Sequence, residues 1–121
     1  MPIPSKASEL VMTFFHARTT AHVLHLKTRS FATHKALNDF YDAVVGLTDS
    51  YAEVAQGEYG LLPLSPLRYE PALDGLALMD ELDSWLKKNR KQCGEDSHLQ
   101  NIIDELQALV RETQYKLKFL S

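Results

Sequence analysis

Apolar residues recur along the chain three and four positions apart, and nowhere do they alternate with a period of two. That pattern predicts helices and no strands. The first predicted helix runs from about Ser8 to Lys27. Leu10, Val11, Phe14, Phe15, Ala17, Ala21 and Leu24 share one side of it, with His22 and His25 within or at the edge of that side. Thr28-Arg29-Ser30 breaks the pattern, and Thr28 or Ser30 is the expected N-cap of the next helix. The second helix is predicted from about Phe31 to Gln56, on a stripe of Leu37, Phe40, Tyr41, Val44, Thr48, Tyr51, Ala52 and Ala55, with Gly57 as its terminator. Prolines at 63, 66 and 71 keep helix out of the stretch that follows, because each lacks a donor and disfavours helix in the residue before it. A third helix is expected from about Ala72 to Asn89, with Leu78, Met79, Leu82, Trp85 and Leu86 inward and Asp83 and Lys87 paired on the outside. Gln92 to Glu95 read as a polar turn with Cys93 in it. Ser97-x-x-Gln100 then reads as a capping box, opening a fourth helix striped by Leu99, Ile102, Ile103, Leu106, Leu109, Val110, Thr113 and Leu117.

The connections turn four helices into a fold class. The first and third are short, so their helices should be antiparallel neighbours. The middle one could reach about 45 Å when extended, and the second helix should be about 39 Å long. The connection can therefore run the length of the bundle. The expected fold is all-α, an antiparallel four-helix bundle with one long crossover between helices 2 and 3, in a single domain over residues 1–121. A plain up-down-up-down bundle with a surface loop is the alternative.

Composition narrows the function classes. A chain of 121 residues, 45% hydrophobic and 24% charged, can bury a core without disulfide or structural metal. Its net charge of −3 argues against a nucleic-acid partner, which wants a basic face. A single cysteine fits a reducing compartment. No signal peptide and no membrane-spanning apolar run are visible, so no membrane partner and a cytoplasmic location, in a bacterial or phage-infected cell, are expected. Neither a glycine-rich phosphate loop nor a nucleophile elbow is present.

Candidate chemistry lies on the second helix. At 100° per residue His34, Asn38, Asp42, Asp49 and Glu53 stand at about 0°, 40°, 80°, 60° and 100°, one polar stripe beside the apolar face. Asp49 and Glu53 are one turn apart, so both carboxylates can converge on one cation. His22 and His25 come from the inward side of the first helix. Imidazoles with carboxylates suit Fe, Mn or Zn better than Mg or Ca. The alternative is a solvated helix edge, with His22 and His25 as core histidines bonded to a backbone carbonyl or to Asp42. His16 and His98 read as surface residues.

The run His25-Leu-Lys-Thr-Arg-Ser-Phe31-Ala-Thr-His34-Lys-Ala-Leu-Asn-Asp-Phe40-Tyr41-Asp42, followed by Asp49-x-x-x-Glu53, resembles the Dps-type, ferritin-like proteins. The chain is also similar to short, often phage-encoded proteins of this type, which share its His22-x-x-His25 and Gln56-Gly-x-Tyr-Gly60 patches. The resemblance implies a homo-oligomer, at least a dimer, with an iron site shared across a two-fold interface. His22 or His25, with His34, would come from one subunit, and Asp49 and Glu53 from the other. Asn38 stands where that family has an acid, and Asp42 is the substitute at hand. The fourth helix has no Glu-x-x-His, which excludes a ferritin-type site within one subunit. The function so implied is iron binding or oxidation, with zinc or manganese as other occupants. The alternative is a non-catalytic module gripping a partner protein or small ligand. Two aromatic pairs, Phe14-Phe15 and Phe40-Tyr41, are the expected interface patches.

Overall fold

A computed structural model describes residues 2–68, 70 and 72–120; Pro71, one of the three prolines expected to break the helix, lies outside them. Four helices form: α1 (Ala7–Lys27), α2 (Phe31–Tyr59), α3 (Gly75–Asn89) and α4 (Ser97–Phe119), with a short 3-10 turn, Arg90–Cys93, after α3. No strand occurs among the described residues. The predicted stripes supply the core, in which Phe14, Phe40, Tyr51, Met79, Leu86, Leu99, Ile103 and Leu106 are fully buried.

Helix boundaries differ from expectation where a local signal met a tertiary one. Ser30 caps α2, its Oγ accepting from Thr33 N at 3.2 Å. Gly57 does not end α2; the helix runs on to Tyr59 and stops at Gly60, whose φ of 98° favours glycine. Helix α3 starts three residues later than Ala72, with Asp74 as N-cap accepting from Ala77 N at 2.8 Å. The capping box at Ser97 is not made: Asp96 is the N-cap residue, without a side-chain cap bond. Gln100 instead donates to the carbonyls of Arg90 and Gly94, at 2.9 and 2.6 Å, and so ties the 3-10 turn to α4.

Packing follows a simple scheme. Helix α2 packs on α1 and α4, α3 packs on α4, and α1 meets α3 more sparingly. At one end of the molecule Tyr59 of α2 hydrogen-bonds Asp96 at the start of α4. There too Tyr51 donates to the Cys93 carbonyl at 2.7 Å and Lys6 N donates to the Gln92 carbonyl at 2.9 Å. At the other end Lys116 of α4 lies 3.6 Å from Asp39 of α2. Beside that pair, Gly75 is packed so closely on Leu37 and Leu117 that a Cβ there would stand 3.0 Å from Leu37.

Three expectations are corrected by burial. Cys93 does stand in a turn between α3 and α4, yet it is fully buried despite its polar neighbours, and burial pushes its thiol up to about 12. Asp83 does pair with Lys87, at 3.2 Å, yet it is buried rather than outside, and also accepts from Arg111 at 2.8 Å and Gln107 at 3.2 Å. Phe14 and Phe40 are fully buried, so those aromatic pairs are mainly core.

Candidate functional site

The turn between α1 and α2 is closed by two histidines. His25 Nδ1 donates to the backbone carbonyl of His34 at 2.9 Å, and His34 Nδ1 donates to the carbonyl of His25 at 2.8 Å. Their rings stack with centroids 3.6 Å apart and planes 20° from parallel. The local cause is the short linker. Thr28 ends α1, its N–H bonded to the Leu24 carbonyl, and its Oγ1 accepts from Ser30 N at 3.2 Å. Ser30 then caps α2, so the last turn of α1 and the first of α2 are held face to face.

A carbonyl oxygen only accepts, so each Nδ1 carries the proton. In the neutral ring the lone pair is then on Nε2. Metal-binding histidines are commonly fixed this way, with the second ring nitrogen donating to a carbonyl or carboxylate. His25 is buried, 7% exposed, while His34 is half-buried.

Tyr41 joins the pair about two turns further along α2 than His34. His22 stacks on it at 4.3 Å, His25 meets it edge-on at 5.2 Å, and the Arg18 guanidinium lies 5.6 Å from the ring centroid. The Tyr41 hydroxyl donates to Asn38 Oδ1 at 2.7 Å, and Asn38 Nδ2 donates to Asp42 at 3.0 Å. Sequence reading placed Tyr41 in the apolar stripe and missed it here. The signal was its spacing of three from Asn38 and seven from His34, which puts all of them on one face.

The structure thus gathers His22, His25, His34, Asn38 and Asp42 around Tyr41. Asp49 and Glu53 are apart from them, exposed on α2, and Asp49 begins about 22 Å along the helix axis from His34. Among the described residues no three His, Cys, Asp or Glu side chains converge closely enough to hold a metal ion. Of the two surface histidines, His98 is indeed exposed and pairs with Glu58 at 3.2 Å; His16 is half-buried.

Residues 25–117 match the model of a family of unknown function, DUF5856. No curated protein and no solved structure matches the chain.

Proposed function

We propose, for a chain that belongs to DUF5856, a family of unknown function, that it binds a transition-metal ion, iron foremost, at a site shared between two copies. His25 and His34 of one copy supply imidazole nitrogens, and Asp49 and Glu53 of the other supply carboxylates. His22 and Asp42 stand beside them. The observation that carries this reading is the pair of Nδ1 bonds to backbone carbonyls, which leaves both Nε2 lone pairs for a ligand. Two imidazoles alone make an incomplete donor set, and Asp49 and Glu53 of the same chain are out of reach. A second copy is the simplest source of the missing oxygens. Zinc and manganese accept the same donors. Bound iron would supply one-electron chemistry toward oxygen or peroxide; the chain's part is to hold the ion and fix the imidazole tautomer.

The same reading takes the fold to be ferritin-like, an antiparallel bundle crossed once by residues 60–74. It is supported by the end contacts: Tyr59 with Asp96, Lys116 with Asp39, Gly75 with Leu37, and Tyr51 with Cys93. On this reading α2 and α3 start at the same end. The connection must then cover about 33 Å, the helical distance from Leu37 to Tyr59, which its extended reach of about 50 Å allows.

The rival is a helical binding module without metal. On its side stands the fact that the two reciprocal bonds alone suffice to clamp the turn. Metal analysis of protein purified without chelator or affinity metal separates the two. We expect bound iron, zinc or manganese, lost in His34→Ala and in Glu53→Ala with helicity unchanged. Variants that fold, self-associate and still bind metal would refute the site, and variants of His34 that unfold would favour the clamp.

A further inference from the structure

The chain carries more acid than base, yet its charge is unevenly placed. Segments 26–31 and 115–120 hold four cations, Lys27, Arg29, Lys116 and Lys118, and no carboxylate, in a sequence with 16 acids and 13 bases. Both segments lie at one end of the bundle, since α4 approaches the start of α2 through Lys116 and Asp39 and through Leu117 at Gly75. Lys27, Arg29 and Lys118 are exposed and form no ion pair with any described residue, so their charge is free.

The same end exposes large apolar side chains. Leu26 is 71% exposed, Phe31 77%, Leu73 89% and Phe119 73%. They come from three separate segments: the α1–α2 turn, the residue before the α3 cap, and the end of α4. The turn and the start of α3 are neighbours, because Lys27, Thr28, Leu73 and Asp74 line one shallow cleft. Scattered exposed leucines are ordinary, but four large apolar groups at one end, beside three unpaired cations and with Asp74 the one carboxylate lining their cleft, make an interaction surface.

We propose that this end of the bundle docks on an anionic lipid surface, with Leu26, Phe31, Leu73 and Phe119 entering the headgroup–acyl boundary. Lys27, Arg29 and Lys118 then meet the lipid phosphates. One feature favours a bilayer over an acidic protein. The apolar groups stand on a turn and on helix ends rather than along one groove or helix face, so they offer a partner helix or strand no continuous seat. A bilayer needs no such shape match, only apolar groups at one depth with cations around them. No helix among the described residues is long and apolar enough to cross a membrane, and a peripheral contact needs none. The expectation of no membrane partner rested on the lack of a signal peptide and of a spanning run, neither of which bears on a peripheral contact.

Sedimentation with vesicles tests this. The intact chain should pellet with vesicles containing phosphatidylglycerol and stay in solution with pure phosphatidylcholine. Binding should fall steeply between low salt and physiological salt. Phe31→Ser should weaken partitioning roughly tenfold, as should Leu73→Ser. Arg29→Gln should weaken it about fivefold, the change expected for one cation near the surface. Both apolar positions are exposed, so these variants keep the core intact. Glu53→Ala, which tests the metal site and is exposed far along α2 from this end, should bind vesicles like the parent chain. Failure to pellet with anionic vesicles overturns the proposal, as does pelleting that ignores lipid charge. Capture by polyglutamate without vesicle binding overturns it too, in favour of an acidic protein partner.

Discussion

Asp83 lies beneath donors from Arg111, Gln107 and Lys87. Burial alone would push its carboxyl up, but these three partners outweigh burial and hold it below the usual carboxylate range. A depressed folded value means that its stabilisation is complete above the unfolded carboxylate value of about 4. It is lost as pH falls from there through the folded value. Asp83→Asn should cost roughly 1.5–3 kcal/mol at neutral pH, the worth of hydrogen bonds to charged groups, and should flatten the acid limb of a stability-versus-pH curve. An unchanged acid limb would show that the ion pairs at Asp83 contribute nothing net. Cys93 makes a second residue-scale case. Burial holds its thiol near 12, so a disulfide reagent at pH 8 should find no reactive thiol in the native chain and one after unfolding. The sequence showed Asp83 spaced to meet Lys87 and showed Cys93 in a polar run. It could not show that α4 brings Arg111 and Gln107 over the one, or that the N-terminal segment covers the other.

At the scale of elements, apolar periodicity was enough to locate all four helices, because each buries one stripe in a common core. Their ends were harder to read, since ends are settled by neighbours as well as by caps. Gly57 and Gly60 are both credible terminators by sequence. Gly60 is the one used; beyond it Leu62 turns into the core, its N–H bonded to the Gln56 side chain at 3.0 Å. A pair of substitutions separates the two glycines. Gly57→Ala, within the helix and with open space for a Cβ, should stabilise by about 0.5–1 kcal/mol. Gly60→Ala, at φ 98°, should destabilise by about 1–2 kcal/mol. Thermal unfolding of the two variants is the check, and equal effects would contradict the assigned helix end. Ser97 and Gln100 carried a capping-box signature that the fold spends otherwise, on tying Arg90 and Gly94 to α4.

On the scale of the whole molecule, the candidate site divides into what one chain assembles and what two would. Helical spacing was enough to put His34, Asn38 and Asp42 on one face. The reciprocal bonding of His25 and His34 was not legible, because it depends on how α1 and α2 meet across the linker. The carboxylates Asp49 and Glu53 stay exposed, with no hydrogen bond or ion pair to a described residue, as donors awaiting a second copy would. Light scattering at micromolar concentration should therefore report at least a dimer, and a strict monomer would remove the shared site. The most direct measurement is complementation. His34→Ala and Glu53→Ala chains, each unable to bind iron(II) or zinc alone, are mixed, dissociated and reassociated, and metal per chain is then counted. A shared site predicts recovery, one ion in each mixed dimer, where intact imidazoles of one chain meet intact carboxylates of the other. Mixed dimers that form and still hold no metal would contradict the account.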